Sequence, residues 1–140
     1  MKFLVDTNVL SEVRKRNGDA TVKAWMARQI PEDLAISVIT VLEIDVGIRR
    51  IQRHDPTSAD ALRRWLDERV LTLFAGRVLP LDLACVPHIA PLHVPDKMPE
   101  HDAIIAGTAL THGLVVVTRN TRDFVRMNVP PINPWDADAH

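Results

Sequence analysis

Four acidic residues stand out by where they fall. Asp6 ends a short apolar run, Lys2 to Val5, and Glu43 lies in the first turns of a helix that follows a second run, Leu34 to Ile36. Asp102 opens a further helix, and Asp123, with Asn120 before it, lies just beyond the apolar stretch from Leu114 to Val117. If the apolar runs are strands of one sheet, these acids collect near its carboxyl edge, where open α/β sheets bind their ligands. Carboxylates gathered at one edge repel one another, and protons or cations must neutralise them. Magnesium takes oxygen ligands, often one or two carboxylates with several waters. A pair of such ions can activate water and stabilise the leaving oxygen when a phosphodiester is hydrolysed. Each acid also has an ordinary reading: Asp6 and Asp102 as helix N-caps, Glu43 as a solvent-facing helix residue, Asp123 as the start of a turn. The acids Glu12, Asp45 and Asp82 nearby show that carboxylates are common in this chain, so no single one decides the matter.

The elements that would position these residues read as strands alternating with helices. A helix follows Asp6 and stops near Asn17-Gly18, and Val22, Trp25, Met26 and Ile30 recur at helical spacing until Pro31. Val41, Ile44, Ile48 and Ile51 line one face of the helix that carries Glu43. Pro56 breaks that helix, and Thr57 with Asp60 resembles a capping box for the next, which runs through Leu62, Trp65, Leu66 and Val70 to Gly76. Val78-Leu79 reads as a third strand. Pro87, Pro91, Pro95 and Pro99 divide the following stretch into short helical pieces and loop. From Asp102 to His112 a helix resumes and Gly113 caps it. Leu114 to Val117 is the continuous β-branched run of a parallel strand buried on both faces. A proline-rich tail, NVPPINPWDADAH, follows a short last strand. The pattern predicts an α/β sandwich with a mainly parallel sheet.

At 140 residues the chain is long enough for one domain with its own core, and 46% hydrophobic with 25% charged residues is ordinary globular composition. Cys85 is the only cysteine, which excludes an intrachain disulfide and points to a reducing compartment. The first apolar run is too short for a signal peptide, and no stretch approaches a membrane span, so a cytoplasmic location is expected. The formal net charge of −1 supplies no global attraction to polyanions.

The flanks of the acids add a resemblance. FLVDTNVLSE resembles the opening motif of PIN-domain nucleases, and SVITVLEI is similar to that family's second acidic motif. HDAIIAGTALTHGLVVVTRNTRDF resembles its third block with the closing TRNxxDF pattern, and the NPW of the tail is similar to the VapC and FitB branch of toxin endoribonucleases. The resemblance covers essentially the whole chain. It implies one PIN-like α/β/α domain over residues 1–140, a divalent metal cofactor (Mg2+ or Mn2+), RNA as substrate, a cognate antitoxin as partner and a homodimer. It assigns Asp6, Glu43, Asp102 and Asp123 to the acidic site. Asp6 and Asp102 would hold the central metal, Glu43 would complete its surroundings or orient the attacking water, and Asp123 would serve a second, weaker position. Thr7, Asn8, Thr118 and Asn120 would support these carboxylates by hydrogen bonds. Two departures are visible: Pro87 and Pro91 interrupt a stretch that is more regular in relatives, and His101 stands where similar sequences often carry arginine.

Without a basic excess, RNA would be held through metal or through local clusters: Arg14-Lys15-Arg16, Arg49-Arg50 with Arg53, and Arg119, Arg122 and Arg126. Arg119 and Arg122 flank the acidic site and are the foremost candidates. Val9, Leu10, Val13, Trp25 and Met26 could form an apolar groove for a partner's amphipathic segment, or simply core. His88 and His93 lack a zinc pattern, no phosphate-cradling glycine loop is present, and Cys85 lies among apolar neighbours unsuited to a nucleophile. A phosphatase with Asp6 as covalent nucleophile would want an acid two residues on, where Asn8 stands. The alternative from another class is a catalytically inactive PIN-fold module that binds RNA or protein.

Overall fold

The computed structural model describes residues 1–139. The chain opens with β1 (Phe3–Val5), passes through α1 (Thr7–Arg14) and α2 (Ala20–Ala27), and returns in β2 (Leu34–Ser37). Helix α3 (Val38–Gln52) leaves β2 without a loop. Helix α4 (Pro56–Arg64) packs back on α3 and continues through a wider π-helical segment, Trp65–Val70, into α5 (Leu71–Leu73). After β3 (Val78–Leu79) come short helical turns that include α6 (Val86–Ile89). Then follow α7 (Glu100–His112), β4 (Val115–Val117) and α8 (Thr121–Arg126).

All strand pairs are parallel, and the sheet order is β3-β2-β1-β4. Phe3 pairs with Leu34 on one side and Val115 on the other, and Leu4 with Ala35 and Val116. The chain builds outward from β1 to β3 and then crosses back to lay β4 on the far side of β1. The strand order therefore reverses between β1 and β4, and the crevice at their carboxyl ends is the switch point where such sheets bind ligands.

Both faces of the sheet are covered, which is why its strands are apolar without interruption. Successive side chains point to opposite faces. Val5, Ile36 and Val117 join Val9, Val22, Trp25, Ile44, Ile48, Leu66 and Phe74 in one core. Leu4, Ala35 and Val116 join Ala103, Ile105, Ala106, Ala109 and Phe124 in the other. The result is a three-layer α/β/α sandwich: the parallel sheet is the one the alternation predicts, and the layering the one the resemblance implies. On the second face α6 lies so close to α7 that a Cβ at Gly107 would overlap Ile89. Gly113, at φ 66°, takes the left-handed cap that ends α7 and lets the chain enter β4. Among the described residues no helix is long and apolar enough to cross a membrane.

Two expectations are corrected and one open reading is decided. Helix α4 is not capped by a Thr57–Asp60 box: Asp55 is its N-cap, accepting from Ser58 N at 3.2 Å and Ser58 Oγ at 2.6 Å. Pro56 sits at the first helical position, where its fixed φ suits the helix and its missing N–H costs nothing. Trp25 and Val9 are core residues, not groove lining; Trp25 is 1% exposed and meets Phe3 edge-on, ring centroids 5.1 Å apart. The last strand is reduced to a single parallel bridge between Val117 and Ile132.

Candidate active site

Asp6 is placed by the end of β1. Its backbone N–H still donates to Val117 O at 2.9 Å, as a further rung of the ladder to β4, while its side chain already caps α1 through Thr7 N at 2.8 Å. One residue thus finishes a strand and starts a helix. The cap reading and the site reading are not rivals, because one carboxylate oxygen serves the cap and the other faces the crevice network. Asp6 is buried, and its second oxygen accepts a 2.7 Å bond from Thr118 Oγ1.

Thr118 is the hub of the crevice. It follows β4 directly, is fully buried, and accepts from Asn8 Nδ2 at 3.1 Å and from Asn120 N at 3.0 Å. Asn8 in turn accepts from Arg119 N at 3.2 Å and reaches Asp6 Oδ2 at 3.4 Å. The start of α1 and the turn after β4 are therefore tied together on both sides of the switch point.

Asn120 extends the tie to the remaining aspartates. Its amide nitrogen donates to Asp102 Oδ2 at 2.8 Å and to Asp123 Oδ2 at 2.9 Å, so its two N–H bonds hold two carboxylates from different helices. Asp102 lies in the first turn of α7 but does not cap it; Pro99 occupies that position. Glu43, one and a half turns into α3, accepts from Thr7 Oγ1 at 3.0 Å, and Thr40 Oγ1 lies 3.3 Å from the same hydroxyl. Thr40 escaped sequence reasoning, although it precedes Glu43 by three residues and so shares its helix face. His101 Nδ1 stands 3.6 Å from Glu43 Oε2.

The electrostatics follow from this crowding. Burial pushes the Asp6 carboxyl above its ordinary value, against the hydrogen bonds from Thr118 and Thr7, and the Glu43 charge adds to the rise. Asp102 is pushed up to about 6, first by desolvation and then by the charges of Asp6, Asp123 and Glu43, with Asn120 opposing. Asp102 thus feels the other three acids together, and of these Asp123 has Arg126 3.7 Å away. The donors are all hard oxygens, the set magnesium and manganese accept. Among the described residues there is no cluster of three or more acid, histidine or cysteine side chains that could hold a metal ion. Magnesium does not need one, since waters fill the rest of its octahedron. On donor chemistry and the charge crowded onto Asp102, the residues present fit a divalent ion held by one or two carboxylates and water.

Of the basic candidates, Arg119 and Arg122 are exposed beside the crevice, and the Arg119 guanidinium lies over the Trp135 ring, 5.0 Å from its centroid. Arg126 lies 3.7 Å from Asp123, and Asp45 accepts from both Arg49 and Arg63 at 2.8 Å, so these cations are already engaged. Cys85 is buried, its Sγ 3.3 Å from Asp82 Oδ1.

Comparison with known proteins supplies the family. The family model described as the PIN domain matches residues 3–130. The chain belongs to the PIN-domain family. Among its PIN relatives, "VapC ribonuclease Y4jK" of Sinorhizobium fredii is 37% identical over 96% of this chain and 98% of that protein. "Toxin FitB" of Neisseria gonorrhoeae is 36% identical over 95% of this chain and 98% of that protein. The crystal structure of FitAcB from Neisseria gonorrhoeae superposes with a TM-score of 0.88 at 34% identity, covering 95% of this chain and 98% of that one.

The raised Asp102 carboxyl sets a pH dependence for the metal-free PIN domain. A carboxyl whose folded value lies near 6 keeps its proton longer in the folded than in the unfolded chain. Its contribution to stability is therefore complete below about 4 and is lost as pH rises through about 6. In EDTA, Asp102→Asn should raise the melting temperature at pH 7.5 and leave it unchanged at pH 4. Allowing for solvent screening, the gain is on the order of 1 kcal/mol. A gain of equal size at both pH values, followed by circular dichroism, would contradict the charge crowding described.

Proposed function

We propose that this PIN-domain chain is the toxin of a type II toxin–antitoxin pair, acting in the cytoplasm as an Mg2+- or Mn2+-dependent endoribonuclease that hydrolyses RNA phosphodiester bonds. The observation that carries the reading is the meeting of Asp6, Glu43, Asp102 and Asp123 around one crevice at the switch point, where the charges of the other three raise the Asp102 carboxyl. The relatives named ribonuclease and toxin support it.

In this reading Asp6 and Asp102 hold the ion, Glu43 completes its surroundings or orients the attacking water, and Asp123 serves a weaker second position. The ion, when bound, lowers the pKa of a water and stabilises charge on the leaving oxygen. The chain supplies the positioning. Thr118 and Thr7 fix both oxygens of Asp6, leaving it one orientation. Asn120 keeps Asp102 and Asp123 at a set separation. The Thr7 hydroxyl turns Glu43 toward the same crevice. Arg119, steadied by Trp135, and Arg122 supply positive charge for backbone phosphates, as the net charge of −1 requires of a local patch.

The antitoxin has a place on the other side of α1. Leu10, Val13 and Met26 line a cleft of about 340 Å³ with Trp65, Leu73 and Phe74, rimmed by Arg14 and Arg69. An apolar floor with a cationic rim suits an amphipathic segment carrying acidic residues.

Cleavage of a total-RNA pool tests the assignment. With Mg2+ or Mn2+ the free protein should cut RNA, EDTA should stop it, and Asp6→Asn and Asp102→Asn should each lower the rate by more than about a hundredfold, beyond the usual cost of losing an outer-shell partner. Antitoxin should silence the wild type, and Leu73→Asp should relieve that inhibition without slowing cleavage. Folded, metal-loaded protein that binds RNA but never cuts it would instead favour the inactive module. The homodimer belongs to the same reading: sedimentation at micromolar concentration should give twice the chain mass of 15.7 kDa, and a monomer would remove that element.

A further inference from the structure

A second cleft opens on the opposite flank of Glu43. Leu42, Glu43, Val46, Gly47 and Arg50 line it from α3 and His101 from the first turn of α7, enclosing about 440 Å³. That volume lies within the range of pockets that hold small ligands, about 300–1,000 Å³. The helical spacing of 42, 43, 46, 47 and 50 puts all five on one stripe, acid at one end and arginine about 10 Å along the axis at the other.

Three features of the stripe are unexplained by the chain's own packing. Leu42 is 50% exposed, although Ile44 and Ile48 of the same helix are buried. Arg50 is exposed and makes no ion pair among the described residues, whereas its neighbour Arg49 is held by Asp45. Gly47 stands in a helix interior, where glycine is weaker than alanine, yet a Cβ built on it would meet nothing within 4 Å. Neither a turn nor a close contact within the chain calls for glycine there. What its missing side chain leaves is open space in the cleft.

We propose that this cleft seats an unpaired nucleobase of a single-stranded RNA, in the nucleotide next to the phosphodiester that the acidic centre cuts; the assignment rests on the endoribonuclease reading. Leu42, Val46 and Gly47 form the apolar floor, the His101 imidazole a flat wall, and Arg50 a cation for the following phosphate. Aromatic rings, guanidinium planes and apolar side chains are the surfaces on which unstacked bases are held. The cleft shares Glu43 with the acidic centre, so its occupant is adjacent to the reacting phosphate. The groove rimmed by Arg14 and Arg69 is itself lined by none of the four acids. His101 then acts as a binding residue for RNA.

The test fills the cleft. Gly47→Leu keeps good helix propensity, and Gly47→Ala serves as a folding control; both should melt no lower than wild type. The substrate is a single-stranded oligonucleotide built around the strongest cut site in the RNA pool, beside the same oligonucleotide made abasic at the nucleotide flanking the cut. Gly47→Leu should lower kcat/KM on the base-bearing oligonucleotide about five- to a hundredfold, the range expected for one stacked base. Wild type should show a similar loss on the abasic one, and the two losses combined should exceed either by less than about twofold. Fluorescence anisotropy in EDTA should show the same loss in binding without any cleavage.

Equal losses on both oligonucleotides in Gly47→Leu, or none, would overturn the base subsite while leaving the nuclease in place. Intact RNA cleavage with lost antitoxin binding would overturn it too, giving the space at Gly47 to a protein partner. Wild-type protein that cuts no RNA would remove the endoribonuclease reading and this subsite together.

Discussion

Like charges brought together at the end of a sheet must be held there, and the bond that does most of the holding joins Thr118 to Asp6. It is 2.7 Å long, buried, and joins residues 112 positions apart in the sequence. A buried carboxylate without partners would lose far more than one hydrogen bond is worth. The Thr118 hydroxyl, the Thr7 amide and the Asn8 amide together supply those partners. Asp6 can then remain in the crevice where Asp102 and Asp123 also arrive. The rest of the architecture can be read as what is needed to keep Asp6 and Thr118 side by side.

The sheet does this by parallel pairing of β1 with β4. Val5 stands opposite Val117, so the next residues of the two strands, Asp6 and Thr118, leave the sheet together. Covering both faces with helices buries the strands and makes their register a property of two cores rather than one. The tail contributes through Ile132, which pairs with the β4 side by donating to Val116 O and accepting from Thr118 N, both at 2.9 Å. The turn that carries Thr118 and Asn120 is thereby fixed from the outside as well as by Asn8 and Asp6. Asn120 can hold two carboxylates because its own backbone is not free to move.

How much of this was legible in the sequence depended on the range of the interaction. Asp6 ending an apolar run, Glu43 on the helix after a second run, and Asn120 and Asp123 just beyond a third were visible because strand ends and helix starts are local patterns. The mainly parallel sheet was visible because apolar strand-like runs alternating with helices have few other solutions, and the α/β/α layering came with the family resemblance. The supporting roles of Thr7, Asn8, Thr118 and Asn120 came from the family resemblance; their bonds depend on how α1, α3, α7 and β4 converge. Trp25 read as core or as groove lining until Phe3, from a distant strand, was placed against it. Asp55 lost out to Thr57 as the cap because a proline next to a helix reads as a break as readily as a beginning. Gly47 carried no local signal at all: open space beside a glycine exists only once α7 brings His101 across from α3.

The central claim is that the four acids form a site for a divalent cation. A ligand that binds only the folded chain raises its stability by mass action, and here it would also relieve repulsion. Thermal melting of the purified, antitoxin-free protein in EDTA and in millimolar Mg2+ or Mn2+ at pH 7.5 measures this directly. The account predicts a clear rise for wild type, by about 2–8 °C for each kcal/mol of binding in a chain of this size, and little or no rise in Asp6→Asn or Asp102→Asn. A wild-type melting temperature indifferent to metal, or variants that respond as strongly as wild type, would contradict it.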